Sequence, residues 1–362
     1  MKTICIVVGA RPNFVKVAPL IRAIEHSGKG RYSLVYAGRD DDATLEPSLF
    51  DDLQMPRPDV FLGVDSTRLN EITSQVMARF DAFLDCYPVD VVIVVDDLAS
   101  TMAAAIVAKK RGLTLAHLVA GTRSFDMKMP KEVNRLVIDA LSDILFTAGI
   151  RSNSVASREQ GEGSNTYMVG NILMDSLRFC QPRLRQPTLE SLPCGGKLEE
   201  GWAEAPYLVL TINRRALLAE EARERLGQML QAITEAAGPI PVIAPLRDEA
   251  MRVVSRAAAL VPVAPLSYLA FGWLTAHARG IITDSGNVAE EATFNGVPCI
   301  TLNSYTEHQE TVSVGTNVLV GEDPQQLAEA VRQMVAGEWK RGSLPDRWDG
   351  RTAERIVKIL LE

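Results

Sequence analysis

A chain of 362 residues, 47% hydrophobic and 23% charged, can hold two α/β domains, each with its own core. Its net charge of −7 argues against a nucleic-acid surface, and no apolar stretch is long enough for a membrane span. The five cysteines (Cys5, Cys86, Cys180, Cys194, Cys299) are scattered and lack metal-ligand spacing, so no metal site is expected and a reducing cytoplasm fits best.

Lys2–Gly9 reads as a first strand, and Ala10-Arg11-Pro12-Asn13 turns it into a helix reaching about His26. Met1–Val8 is apolar, but it is too short for a span and lacks a signal-peptide layout. Tyr32–Ala37 is a second strand and the acid-rich Gly38–Glu46 a loop. Leu69–Cys86 carries Leu69, Ile72, Val76, Phe80 and Phe83 on one helical face. Val89–Val95 is a fully apolar strand that ends at Asp96-Asp97. The helix Ala99–Arg111, the strand Thr114–Val119, the helix Glu132–Ser142 and the strand Ile144–Phe146 follow. Such alternation predicts a doubly wound parallel sheet, which binds ligands at the carboxyl ends of its strands.

Around Gly163–Pro187 the alternation breaks down, and Arg183–Gly201, dense in proline and glycine, reads as linker or loop. A second alternation runs through Tyr207–Leu210, the helix Ala219–Ala236, Val242–Ala244, Gly280–Thr283, Cys299–Leu302 and Asn317–Val320. Pro324–Ala336 and Arg351–Leu361 are helical. The expected domains are 1–178, 179–345, and a C-terminal helix at 346–362 packing back on the first. Both are Rossmann-like and face a central cleft.

The most informative stretch is Gly280–Pro298. A buried-type strand leads through Asp284-Ser285-Gly286 into a helix that Asn295-Gly296 stops. Free N–H groups and the positive end of that helix favour a phosphate, and Glu290 and Glu291 lie about one turn in, where a carboxylate could accept ribose hydroxyls. On spacing alone the stretch could equally be an ordinary capped βα unit.

Short motifs in register along nearly the whole chain resemble the non-hydrolysing UDP-N-acetylglucosamine 2-epimerase family, of glycosyltransferase-B fold. They are Gly9-Ala10-Arg11-Pro12 with Lys16, Asp97, His117-Leu118-Val119-Ala120-Gly121 with Arg123, and Pro130-Lys131-Glu132-Val133-Asn134-Arg135. Gly170-Asn171 with Asp175, Asn213-Arg214-Arg215, Phe271, Thr283-Asp284-Ser285-Gly286 with Glu290-Glu291, and Thr306-Glu307 complete the set. The resemblance implies a UDP-sugar substrate, no cofactor, a homodimer and a place in polysaccharide biosynthesis. Arg11 would lie beside the diphosphate, Ser285 and Gly286 would donate to phosphate, Glu291 would hold the ribose, and Phe271 would pack on uracil. Lys16, Arg135, Asn213, Arg214 and Glu307 would complete the substrate-binding set, with Asp97, Glu132 and Lys131 as the catalytic candidates.

The chain also departs from the family. Val119 and Lys131 stand where epimerases carry Glu, and Asn213, Asp40 and Ala244 stand where they carry His. Epimerisation removes a proton from carbon 2, releases UDP and returns a proton on the other face, which needs at least two proton-exchanging groups. Val119 cannot exchange a proton, and Lys131 could act only with a lowered pKa. Asp97 could be catalytic or merely cap a helix. Three readings therefore stay open: a 2-epimerase with substituted groups, a glycosyltransferase or UDP-sugar hydrolase on the same UDP site, and a non-catalytic UDP-sugar-binding protein.

Overall fold

The computed structural model describes residues 1–161, 163–192, 198–254 and 260–361, so Cys194 and the central part of the expected linker lie outside the described residues. The chain forms two compact units, Met1–Phe179 with Asp346–Glu362, and Cys180–Pro345.

In the first unit the order is β1 (Lys2–Val8), α1 (Arg11–Ser27), β2 (Gly30–Tyr36), α2 (Pro47–Leu53), β3 (Val60–Phe61), α3 (Leu69–Cys86) and β4 (Val91–Val95). Then come α4 (Ala99–Lys110), β5 (Thr114–Ala120), α5 (Pro130–Leu141), β6 (Ile144–Thr147), α6 (Ile150–Glu159), β7 (Asn165–Met168) and α7 (Ile172–Cys180). All pairs are parallel, in the order β3-β2-β1-β4-β5-β6-β7. The order reverses between β1 and β4, so the crevice at their carboxyl ends is a topological switch point.

The second unit holds β8 (Leu208–Thr211), α8 (Arg215–Leu218), α9 (Arg223–Ala237), β9 (Val242–Pro245), α10 (Asp248–Val254), β10 (Leu260–Val263) and α11 (Tyr268–Ala276). It continues with β11 (Gly280–Thr283), α12 (Gly286–Asn295), β12 (Cys299–Thr301), α13 (Gln309–Ser313), β13 (Asn317–Leu319) and α14 (Pro324–Ala336). Its order, β10-β9-β8-β11-β12-β13, places the switch between β8 and β11. Leu208 and Leu210 enter a core with α9 and α14, while Tyr207 and Val209 enter a second core with α11 and α12. A strand buried on both faces reads as a continuous apolar run, as these do.

The last helix, α15 (Thr352–Leu361), belongs to the first unit. Lys2 Nζ donates to the Leu360 carbonyl at 2.7 Å, and the buried Trp348 donates to the Ala148 carbonyl at 3.1 Å. Asp175 on α7 caps α15, its two oxygens accepting the N–H groups of Thr352 and Ala353 at 3.0 and 2.8 Å.

One expectation is corrected. The alternation does not break down across Gly163–Pro187, because β7 and α7 continue it as far as Cys180. β7 is a half-exposed edge strand, Asn-Thr-Tyr-Met, and lacks the apolar run that marks an interior strand. Likewise the helix expected from Ala219 begins at Arg223, after a short 3-10 turn over Glu220–Ala222.

Burial pushes the Asp175 carboxyl up to about 6 from its ordinary value, although the two N–H groups oppose this. A folded-state pKa raised above the unfolded one confers stability that is complete below pH ~4 and lost as pH climbs through ~6. Asp175→Asn is therefore expected to flatten that part of the profile. Between pH 4 and 8, unfolding free energies by urea titration should show the native chain losing up to about 3 kcal/mol relative to the variant. An unchanged gap between the two proteins would show that Asp175 does not titrate in this window.

Candidate functional site

In the first unit the residues at the switch point are tied together. The side-chain oxygen of buried Asn13 accepts the N–H groups of Gly9 and Ala10 at 2.9 and 3.2 Å, and its amide donates to Asp96 at 2.7 Å. The other oxygen of Asp96 takes the Lys16 ammonium at 2.6 Å, so Lys16 is already ion-paired. Gly9 permits this close packing, since a Cβ there would lie 2.0 Å from the Ser100 hydroxyl. Arg11 opens α1, with its Nε 3.4 Å from Glu46 and buried without a hydrogen-bond partner.

Asp97 is 8% exposed and does not cap α4, whose N-cap is Leu98. Its carboxylate is instead gripped by Arg135 through Nε at 2.8 Å and Nη2 at 2.5 Å, while the Lys131 ammonium lies 3.5 Å from the other oxygen. Burial works to raise its pKa, but Lys131, Arg135 and Lys16 outweigh it and hold the carboxyl below the ordinary range. Asn134 fixes the Asp97 carbonyl at 2.8 Å.

Glu132 is placed by the first turn of α5 and is 1% exposed. It accepts the N–H and hydroxyl of Ser124 at 2.8 and 2.9 Å, the N–H of Phe125 at 3.0 Å, and Arg135 at 3.2 Å. Those donors outweigh burial and keep it ionised. A carboxylate so fully occupied organises a loop, so this geometry argues against Glu132 as a mobile base.

Beside them β5 ends in an irregularity. The register with β6 shifts between Leu118 and Ala120, and Val119 has φ +74°. A β-branched residue in the left-handed region is strained, and bulges of this kind sit beside functional sites. Behind it, buried His117 reaches Asp139 at 2.5 Å and the Asp96 carbonyl at 2.9 Å. Asp139 also accepts Gly121 N–H at 3.0 Å and pairs with Arg123 at 2.7 Å.

In the second unit the groups converge on the ends of β8 and β11. Asp284 accepts the N–H groups of Asn213 and Arg214, both at 2.7 Å, through one oxygen; the other oxygen is buried with no hydrogen-bond partner. Burial is the larger effect and raises its pKa. Thr211 and Thr283 share a hydrogen bond of 2.6 Å across the two strands, and Thr283 accepts Ser285 N–H at 3.0 Å. Arg214 donates to Asn303 at 2.8 Å and pairs with Glu322. Ser285 is the N-cap of α12 without spending its hydroxyl on the cap, and Gly286 is the first helical residue.

Glu290 and Glu291 are both buried on α12. Glu290 meets His308 Nδ1 at 2.8 Å, and the opposite edge of the same imidazole packs over Gly286, where a Cβ would lie 3.1 Å from its Cδ2. His308 and Asp284, like Thr211, Asn303 and Glu322, have no role assigned from the sequence. The chain's four histidines make one directly after Thr306-Glu307 a signal that could have found it. Glu307 lies half-buried in the loop before α13, and Phe271 on α11 is half-buried against the second core. Among the described residues no group of His, Cys, Asp and Glu is placed to hold a metal ion, and no helix is long and apolar enough to cross a membrane.

Two doubly wound units, with charged and helix-terminal groups gathered at both switch points, define a protein of glycosyltransferase-B type. The family described as UDP-N-acetylglucosamine 2-epimerase matches residues 22–361, and the chain belongs to it. It is similar to the UDP-N-acetylglucosamine 2-epimerase of Methanocaldococcus jannaschii, 31% identical over 373 residues and covering 98% of both chains. It is also 31% identical over 334 residues, 90% of each chain, to the UDP-2,3-diacetamido-2,3-dideoxy-D-glucuronate 2-epimerase of Pseudomonas aeruginosa. The structure of the M. jannaschii enzyme with UDP-GlcNAc and UDP superposes with a TM-score of 0.81, at 30% identity and 99% coverage of each chain. The Neisseria meningitidis enzyme shares the fold, with a TM-score of 0.86 at 23% identity and full coverage of both chains.

Replacing Val119 by Gly removes the left-handed strain, worth about 1–3 kcal/mol, and loses only a half-buried side chain. Val119→Gly is therefore expected to raise stability by about 1 kcal/mol in chemical denaturation. A loss of stability would mean that packing of the valine outweighs its strain.

Proposed function

We propose that the chain is a nucleotide-sugar enzyme of the 2-epimerase type: it holds a UDP-sugar through a preserved nucleotide site and works on it with an altered sugar site. In this reading Ser285 and Gly286 donate to the diphosphate from the start of α12. Arg11 adds a permanent cation, Glu291 takes the ribose, and Phe271 packs against uracil. Asn213, Arg214 and Glu307 line the nucleotide. Asp97, Lys131, Lys16 and Arg135 face the sugar, and Glu132 holds its loop.

The observation that carries the proposal is the Arg135–Asp97–Lys131 cluster. The acid expected for proton exchange at carbon 2 is present, but it is kept ionised by Lys131, Arg135 and Lys16. Val119 and Asn213 supply no second exchanging group. Losing one positioned acid or base slows a reaction by about 10²–10⁴-fold. Ordinary UDP-N-acetylglucosamine epimerisation is therefore slow in this chain. The same cluster favours one further reading, cleavage or transfer of the sugar. That chemistry asks for cations on the departing diphosphate and a single carboxylate near the anomeric carbon.

We also propose a homodimer working in the cytoplasm in polysaccharide biosynthesis. The family resemblance supports the dimer and the pathway, and the free thiols Cys5, Cys86, Cys180 and Cys299 support a reducing compartment.

Proton NMR of UDP-N-acetylglucosamine with the enzyme in heavy water tests the proposal. The expected result is slow deuterium entry at carbon 2, accelerated when Val119→Glu, Lys131→Glu and Asn213→His are combined. Turnover of the unmodified chain at about 10 per second, ordinary for an enzyme, would contradict the altered sugar site. UDP release without exchange would select the cleavage reading.

A further inference from the structure

The second unit sets a histidine directly over the start of α12. His308 is the N-cap of α13, and its backbone is held on both sides. Its N–H donates to the Thr306 hydroxyl at 3.1 Å, and its carbonyl accepts the Thr311 hydroxyl at 2.7 Å. From there the ring reaches α12. Nδ1 meets the Glu290 carboxylate at 2.8 Å, and Glu290 is 2% exposed. The opposite edge covers Gly286, where a Cβ would lie 3.1 Å from Cδ2 and 3.4 Å from Nε2. Gly286 is the first residue of α12, a helix of 10 residues, and the N–H groups of a first turn have no partner inside their helix. The ring thus spans one turn, fixed by Glu290 at its buried end, with its Nε2 edge over the peptide to which the diphosphate is assigned above.

Histidine is the side chain that changes charge between about pH 5 and 8. With the ring neutral, the pair presents the full negative charge of Glu290 to an incoming anion. With the ring protonated the pair is neutral, and both ring nitrogens are donors, one towards Glu290 and one on the Gly286 side. The surroundings are acidic. Glu291 follows Glu290 on α12, Glu307 precedes His308, Glu310 lies on α13 and Asp284 follows β11. Of the cations, Arg214 is paired with Glu322, and Lys340 donates to the Val312 carbonyl at 2.6 Å near the end of α13. An anion arriving at the α12 start is repelled by these acids, and a proton on the imidazole offsets the one that touches it.

We propose that His308 is a phosphate-binding residue, and that nucleotide-sugar binding takes up a proton held on its imidazole between Glu290 and the diphosphate. This rests on the UDP-sugar reading above and adds to it a proton linkage. The proton comes from the buffer, and no bond of the substrate forms or breaks. Because the bound state holds more protons, affinity is highest on the acid side and falls as pH rises.

The test is isothermal titration of the full chain with UDP-N-acetylglucosamine at about pH 6 and about pH 8, each in two buffers of different ionisation enthalpy. Its diphosphate is a diester that stays fully ionised across this range, so proton uptake belongs to the protein. The native chain is expected to bind about three- to tenfold more tightly at the lower pH, with net proton uptake. His308→Gln, which can hydrogen-bond but not charge, should abolish the uptake and bind with the weaker affinity at both pH values. His308→Arg, a permanent cation, should also abolish the uptake but keep the tighter affinity at both. A side chain that merely packs on Gly286 would give neither pattern. Uridine, which lacks the diphosphate, should bind all three proteins equally at both pH values, which also reports an intact fold. Binding by the native chain that ignores pH would overturn the proton linkage and leave the UDP-sugar reading standing. Uptake that persists in His308→Gln would assign the proton to another group, Asp284 foremost, and overturn the role of His308. Absence of UDP-N-acetylglucosamine binding by the native chain would overturn both.

Discussion

Arg135 is 3% exposed and lies between two carboxylates, gripping Asp97 with two nitrogens and meeting Glu132 with a third. A buried guanidinium is tolerable only with its charge paired and its donors engaged; these two acids provide the partners, and Lys131, 3.5 Å from Asp97, meets the second negative charge. The consequences spread outwards. Asp97 is held ionised and still at the end of β4, and Glu132 is free to organise the N–H groups of Ser124 and Phe125. The first turn of α5 is thereby tied through Glu132 and Asn134 to the Ser124 loop and the end of β4. Removing the guanidinium would leave two buried anions facing one another, which costs several kcal/mol.

That cluster occupies one of two equivalent places. Each unit reverses its strand order once, between β1 and β4 and between β8 and β11, and the polar side chains gather there. The physical reason is the same in both. Strands buried on two faces must be apolar along their length, so polar groups can enter only where the chain leaves the sheet. In the second unit backbone N–H groups on Asp284, paired threonines and the open start of α12 stand beside the ion pairs Arg214–Glu322 and His308–Glu290. In the first, the ion pairs Lys16–Asp96, Arg135–Asp97 and Arg135–Glu132 are joined by Asn13, Asn134 and Ser124.

Much of this was legible in the sequence. Val91–Val95 and Gly280–Thr283 are uninterrupted apolar runs, and such runs announce interior strands. The polar groups just past them, Asp96-Asp97 and Asp284-Ser285, were therefore legible as strand-end residues. The edges were not. β3 is apolar but only two residues long, and β7 alternates exposed with half-buried positions, so neither carries the long apolar run of an interior strand. α11 is apolar nearly all round and shows no polar stripe, and Phe271 was noticed there only through its family motif. Residue type did not reveal commitment. Glu132 reads as an acid–base candidate, but four donors already hold it, which only the fold around Ser124 discloses. His308 was missed because its partner Glu290 is eighteen positions away along the chain, a pairing that no local pattern encodes.

The central claim is that the nucleotide site is intact although the sugar site has changed. Calorimetric titration of the unmodified chain with UDP and with uridine tests it most directly, because the two ligands differ only in the diphosphate. The account predicts that UDP binds at least about tenfold more tightly, as a single charge-assisted contact from Arg11 or the α12 N-terminus would require. Equal affinity for the two, or no measurable binding of UDP, would contradict it.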